Sequence, residues 1–167
     1  MSIVDEIRHL SGIGFRPSSE HTMQFLKGSG VSDDVLAFYR ESGPVRMVEV
    51  KEVRIWPGAN LFEENTDYVP GFYAFPCGYL VFASTICGDA YCFDTRSGLP
   101  ASPIVLIAHD LEPEDDTTSR EELAKLAKPI AGSLAQFLRS FLDGNLDKTP
   151  NYPPLDKIEE SEGPSRQ

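Results

Sequence analysis

The stretch Phe82–Thr95, FASTICGDAYCFDT, carries two of the chain's three cysteines, two aspartates, a serine and three threonine or tyrosine hydroxyls. It is either a reactive or metal-binding site or a β-hairpin that happens to display reactive side chains. The hairpin reading starts from Gly88 and Asp89, a Gly-Asp pair between two apolar runs and a good two-residue turn signal. That turn predicts Cys87 opposite Ala90, Ile86 opposite Tyr91 and Cys92 opposite Thr85. The two sulfurs then do not converge on one ion, whereas a structural metal site needs about four ligands at tetrahedral corners. The cysteines read as small buried hydrophobes. A thiol nucleophile would need a nearby cation or base to lower its pKa, and 71–93 holds no Lys, Arg or His. His109, at the end of the next apolar run, could reach Cys87 or Ser84 only through folding.

Outward from the hairpin, the middle of the chain reads as strands. Val48 and Val50 alternate with charges, and Val53 and Ile55 continue in shifted parity, which predicts a bulge or break near Lys51 and Glu52. FYAFP (72–76), YLVFASTIC (79–87), AYCFD (90–94) and PIVLIAH (103–109) are apolar runs of strand length separated by turn residues. Trp56 to Gly71, with its prolines, glycines and acidic run, reads as a long loop. Consecutive strands with short connections imply a mostly antiparallel sheet.

Helices flank this region. Ile3, Ile7 and Leu10 recur at helical spacing up to Gly12. Ser18 or Ser19 caps a second helix with Met23 and Leu26 inward and a stop at Gly28. Ser32 opens a third, with Asp33 and Asp34 at its positive end and Val35, Leu36 and Tyr39 packing inward up to Gly43 and Pro44. Ser119 and Glu122 have capping-box spacing. Pro129 suits the first turn of a closing helix whose Ile130, Leu134, Phe137, Leu138 and Phe141 form one apolar stripe ending near Gly144. The polar, proline-rich 145–167 reads as a tail.

The chain has 167 residues, 41% hydrophobic and 25% charged, which is globular composition for one domain plus tails. Asp and Glu number 26 against 15 Lys and Arg, a net charge of −11. Such a chain is repelled by nucleic-acid phosphates and anionic lipid, and a basic protein partner fits it better. The N-terminus reads as no secretion signal, no run is long and apolar enough for a membrane span, and the odd cysteine count fits reduced thiols; a cytoplasmic location is expected. Two acidic stretches stand out. One is Glu63, Glu64 and Asp67, beside Trp56 and Tyr68. The other is Asp110, Glu112, Glu114, Asp115 and Asp116, which lacks the central glycine and final glutamate of an EF-hand loop. Each reads either as a solvated surface or, together, as a negative face suited to a basic protein partner, and these are the candidate partner-binding residues. Paired carboxylates could also serve hydrolysis, but nothing in the sequence positions them. No phosphate loop, hydrolase elbow or zinc-protease motif is present, and no cofactor is expected.

Three pieces in order, VSDDVLAFYRESGPV, GDAYCFDTRSG…PIVLIAHD and IAGSLAQFLRSFL, resemble the SUKH superfamily of bacterial immunity proteins and fungal Smi/Knr cell-wall regulators. The resemblance implies an α+β domain over 31–144, with a central, mostly antiparallel sheet packed against helices. Residues 1–30 are then an N-terminal helical extension and 145–167 a C-terminal tail. It implies no enzymatic activity and, for bacterial members, protection from a toxin, often one acting on nucleic acid, by binding it. Gly88, Asp89, Asp94 and Gly98 match its hairpin and following turn and read as structural: Gly88 for backbone freedom, Asp94 as cap of the Thr95–Gly98 turn. A scaffold with a non-toxin partner, and an enzyme using Cys87 or the carboxylates, are the competing readings.

Overall fold

A six-stranded antiparallel sheet runs through the middle of the protein, and its strands follow one another in chain order. The computed structural model describes residues 1–96, 100–111 and 118–146. The first helix, α1 (Ile3–Ser11), has a Ser2–Asp5 capping box and ends on Gly12 in the left-handed region. A short strand β1 (Phe15–Arg16) leads to α2 (Glu20–Gly28), capped by Ser19, and α3 (Asp33–Ser42), preceded by Ser32. The Ser32 side chain does not cap its helix; Ser32 and Ser102 instead exchange backbone-to-hydroxyl hydrogen bonds at 2.9 and 2.8 Å, tying α3 to a residue seventy positions away. Strand β2 (Gly43–Pro44) pairs with β1.

The main sheet opens with β3 (Val48–Val50) and β4 (Val53–Ile55). The parity change expected as a bulge or break is a tight hairpin turn: Val50 pairs with Val53, and Lys51 and Glu52 both take positive φ, 50° and 66°. Two such residues in succession make the turn whose twist matches that of paired strands. The Lys51 ammonium donates to the Leu142 carbonyl at the end of the closing helix and anchors the turn.

Between β4 and β5 the expected long loop is instead a 3₁₀ turn (Gly58–Asn60) and two short helices, α4 (Leu61–Thr66) and α5 (Gly71–Ala74). FYAFP is therefore helical and not a strand; α5 runs into a second 3₁₀ turn, Phe75–Cys77. A short apolar run has no period of its own to tell strand from helix. Here the decision is steric: a Cβ on Gly71 would lie 2.0 Å from the Glu64 carbonyl oxygen, so α5 starts in direct backbone contact with α4.

Strand β5 (Tyr79–Thr85) and β6 (Ala90–Asp94) form the hairpin read from the sequence, with a different register. Ser84 pairs with Ala90, Ala83 with Tyr91 and Val81 with Cys92, across a bulge between Val81 and Ala83. The loop is longer than a Gly-Asp turn. Thr85 N–H donates to the Asp89 carbonyl at 2.8 Å, leaving Ile86, Cys87 and Gly88 as a three-residue loop with Gly88 at φ 97°. A glycine at the last position of such a loop supplies the left-handed residue it requires. Strands β7 (Ile104–Ile107) and β8 (Lys128–Ala131) complete the sheet, separated by α6 (Arg120–Leu126) with its Ser119–Glu122 capping box. Pro129 belongs to β8, not to the closing helix, and Ile130 is a core strand residue. β8 is an edge strand, where a missing N–H is tolerated. The closing helix α7 (Leu134–Asp143) starts after its cap Ser133 and ends on Gly144 at φ 70°.

The sheet buries both faces. On the first, Leu80, Phe82, Tyr91, Phe93 and Ile104 meet α7, with Phe82 stacked on Phe93 at 4.1 Å and edge-on to Phe137 at 5.0 Å. Ile7, Leu26, Val35 and Tyr39 join this core from the first three helices. On the second face Tyr79, Val81, Ala90, Cys92, Val105 and Ile107 meet Ala74 of α5 and Leu123 and Ala127 beside α6. The bulge keeps Phe82 and Ala83 together on the first face and returns Ser84 to the second, beside Val81 and Ala90.

Candidate functional site

The second face is not fully covered. Between α4–α5 and the sheet, past the end of β4, lies a groove of about 340 Å³. Its floor is Arg54, Val81, Ser84 and Ala90, and its wall runs from Trp56 through Glu63, Glu64 and Tyr68.

One buried side chain sets this geometry. β4 ends at Ile55, and Trp56 N–H makes one more bond to the Phe82 carbonyl at 2.9 Å. Val81 next to it has no strand partner on that side. The Asn65 amide fills the vacancy: it accepts from Val81 N–H at 2.7 Å and donates to the Val81 carbonyl at 2.9 Å and the Leu61 carbonyl at 2.7 Å. A primary amide has the donor and acceptor of a peptide unit, so Asn65 stands in for a strand residue and fastens α4 to β5. Leu61 and Asn65, four apart, point inward, which leaves Glu63 and Glu64 toward the groove.

Electrostatically the groove is lopsided. Arg54 is already matched, its Nε 2.8 Å from Glu49. Among the described residues neither Glu63 nor Glu64 has a cation within 4.0 Å. Glu64 is half-buried; burial, and then the neighbouring Glu63 charge, push its carboxyl above the ordinary range. Tyr68 donates to Glu63 at 3.2 Å, and the Glu63 charge is the largest cause of its raised phenol pKa. Tyr68 and Val69 line the groove, and they and their segment neighbours Phe62 and Phe72 are each about half exposed, 47–53%.

The fold thus brings together Trp56, Glu63, Glu64 and Tyr68, with Asp67 exposed between Thr66 and Tyr68. Asp110 is not part of the groove; it is exposed beside His109 after β7. Glu112, Glu114, Asp115, Asp116 and Gly98 lie outside the described residues. Sequence reasoning missed Arg54, Asn60, Ser84 and the α4–α5 apolar residues. Leu61 and Asn65 at helical spacing were the available signal, hidden because a polar side chain takes the second inward position.

The hairpin residues are structural in more detail than their turn role. Asp89 accepts from the His109 backbone N–H at 3.0 Å and pairs with its Nδ1 at 2.6 Å, tying the loop to the end of β7. Asp94 accepts from Arg96 N–H at 3.1 Å, while the rest of the turn it is expected to cap reaches beyond the described residues. It is also fully buried between two guanidinium groups, Arg96 Nε at 3.0 Å and an Arg120 nitrogen at 2.6 Å. Arg120 further donates to the Cys77 carbonyl at 2.6 Å and sits 4.7 Å over the Tyr79 ring, so this cluster fastens α6 to the sheet.

The cysteines divide. Cys92 is buried and its thiol pushed up by that burial, and burial also raises Cys77 despite nearby Arg120. Neither has the lowered pKa that activates a nucleophile. Cys87 is exposed in the three-residue loop and is not the packing residue expected, because that loop leaves the sheet before reaching it. Among the described residues no group of three His, Cys, Asp or Glu side chains could hold a metal ion, and no helix is long and apolar enough to cross a membrane.

A family model described as the SMI1/KNR4 family (SUKH-1) matches residues 24–140, from within α2 to within α7. The chain belongs to the SMI1/KNR4 family. That family is associated with immunity proteins and is in general a binding, non-enzymatic domain. Comparison with curated proteins and with solved structures gives no match. The whole groove of this SUKH-1 chain lies inside the matched region, as do the Asp89–His109 and Asp94–Arg120 contacts.

Proposed function

We propose that this SUKH-1 chain is a non-enzymatic immunity protein of the bacterial cytoplasm that neutralises a basic, nucleic-acid-targeting toxin domain by binding it. The observation that carries the reading is the groove. Trp56, Glu63, Glu64 and Tyr68, scattered over thirteen positions, come together beside Val69. Aromatic anchors beside uncompensated carboxylates are the composition of a binding hot spot for a basic protein. A toxin that acts on nucleic acid needs a positive surface to hold phosphates. A chain of net charge −11 meets such a surface with long-range attraction that speeds and orients encounter.

The test is association kinetics with a basic toxin domain, sought among the genes next to this one, measured against salt. The Glu63→Lys/Glu64→Lys variant is expected to slow association roughly tenfold or more at low ionic strength, and the difference should shrink as salt screens the charges. An on-rate unchanged at low salt removes these residues from the interface. Absence of any complex with the neighbouring toxin removes the immunity role.

A further inference from the structure

The groove has features that specify more than general acidity. Its anionic wall is formed by Glu63 and Glu64, without a cation partner among the described residues, while the single positive charge on the floor, Arg54, is matched by Glu49. Glu64 is half removed from water, at the base of a wall that also presents Trp56. The polar side chains of Asn60 and Ser84 line the same space. At about 340 Å³ the groove is at the small end of ligand-sized cavities, enough for one long side chain and not for a folded segment.

Each candidate occupant can be weighed on chemistry. An anionic group meets two unneutralised carboxylates. A purely apolar side chain would complete the desolvation of Glu64 and leave its charge unpaired, the arrangement that binding penalises most. A compact ammonium would neutralise Glu64, but it keeps its own hydration and covers the indole poorly. A planar guanidinium pairs with a carboxylate through two parallel N–H donors, stacks on tryptophan, and has further N–H groups for lining oxygens such as those of Asn60 and Ser84.

We infer that the groove is an acceptor for a single arginine side chain of the protein partner, with Glu64 as its counter-ion and Trp56 as its stacking face. This rests on the binding role proposed above and names the chemistry recognised there. The burial that keeps Glu64 ready also disfavours its ionised form in the free protein, so an arginine that neutralises it relieves a strain already present.

Trp56 is the only tryptophan in the chain and lines the groove, so its fluorescence and its single indole N–H resonance in the folded protein come from one residue at this site. The experiment titrates the full-length protein with N-acetyl-arginine amide, with the lysine and citrulline analogues in parallel. The expected result is a saturable Trp56 response to the arginine compound, at least fivefold weaker for lysine and absent for the isosteric, uncharged citrulline. Glu64→Gln should weaken the arginine response at least tenfold while raising the melting temperature, a combination that a damaged fold cannot produce. Glu121→Gln, an exposed acid on α6, should leave it unchanged. Equal responses to arginine and citrulline, a Glu64→Gln variant that binds like the parent, or a Trp56 signal that changes with protein concentration alone would overturn the inference, the last by assigning the groove to a second copy. The two readings fail separately. A basic toxin bound normally by Glu64→Gln overturns the arginine acceptor and leaves the immunity role; a saturable arginine response without toxin binding does the reverse.

Discussion

Replacing Asn65 by alanine tests whether the groove is built by one amide standing in for a strand. The side chain is 1% exposed and makes three hydrogen bonds, two of them to the N–H and C=O of Val81. Alanine leaves both Val81 groups without a partner on the side where β4 has ended. A buried backbone group stripped of its partner costs about 1–3 kcal/mol. Val81 lines the groove, so water can reach part of the site, and about 3 kcal/mol for the pair is the expected loss. For a domain of this size that corresponds to a fall in melting temperature of roughly 6–12 °C. Urea unfolding followed by Trp56 fluorescence measures it directly, with an unchanged slope indicating that the unfolded state is not altered. The same substitution frees α4, so the arginine response should weaken even where the protein remains folded. A loss below about 1 kcal/mol with the groove intact would show that α4 is held by its apolar contacts, and the surrogate-strand account would be wrong.

Three other substitutions or treatments probe the rest of the molecule. Asp94→Asn keeps the shape of a fully buried side chain but turns a donor toward one of two guanidinium groups; because Arg96 and Arg120 are about 30% exposed and can turn to water, a loss near about 3 kcal/mol is expected by chemical denaturation, at the low end for a broken buried ion pair. In the folded protein a thiol reagent should modify Cys87 first, Cys77 slowly and Cys92 only on unfolding, and prompt labelling of Cys92 would contradict the packing of β6. The Asp89–His109 pair should be visible by NMR titration. Its hydrogen bond holds His109 above its ordinary 6.5 and Asp89 below its ordinary 3.8. The histidine's contribution to stability is present below 6.5 and lost as pH rises through its raised value, and the aspartate's is present above 3.8 and lost as pH falls. The pair therefore supports the fold between those limits, and Asp89→Asn should return His109 toward its ordinary value; no movement would mean the contact does not persist in solution.

The elements with a strong period or a cap were legible directly. Ile3 and Ile7, the Ser119–Glu122 box and most of the stripe Ile130, Leu134, Phe137, Leu138, Phe141 locate helices that the structure contains, although the closing one starts at Leu134 and Ile130 belongs to β8. The order of the β5–β6–β7 runs gave the antiparallel sheet and, with the flanking motifs, the SUKH resemblance. Both follow from local physics, since periodicity and capping are properties of neighbouring residues.

What lay beyond the sequence were the places where a distant contact outvotes a local preference. Pro129 favours a helix start by its fixed φ, yet it lies at the open edge of the sheet beside Val105. FYAFP has strand composition but is helical in the structure, where Gly71 at the start of α5 lies against the backbone of α4. The hairpin register slipped because Thr85 closes a three-residue loop and β5 carries a bulge, a choice made by the pairing of whole strands. The groove is the sharpest case. Composition alone determined that this is an acidic, globular protein, and the sequence singled out Trp56, Glu63, Glu64 and Tyr68 as candidates. Only the tertiary structure decided that these four share one groove while Asp110 does not, because the amide of Asn65 carries α4 across to a sheet edge more than fifteen residues along the chain.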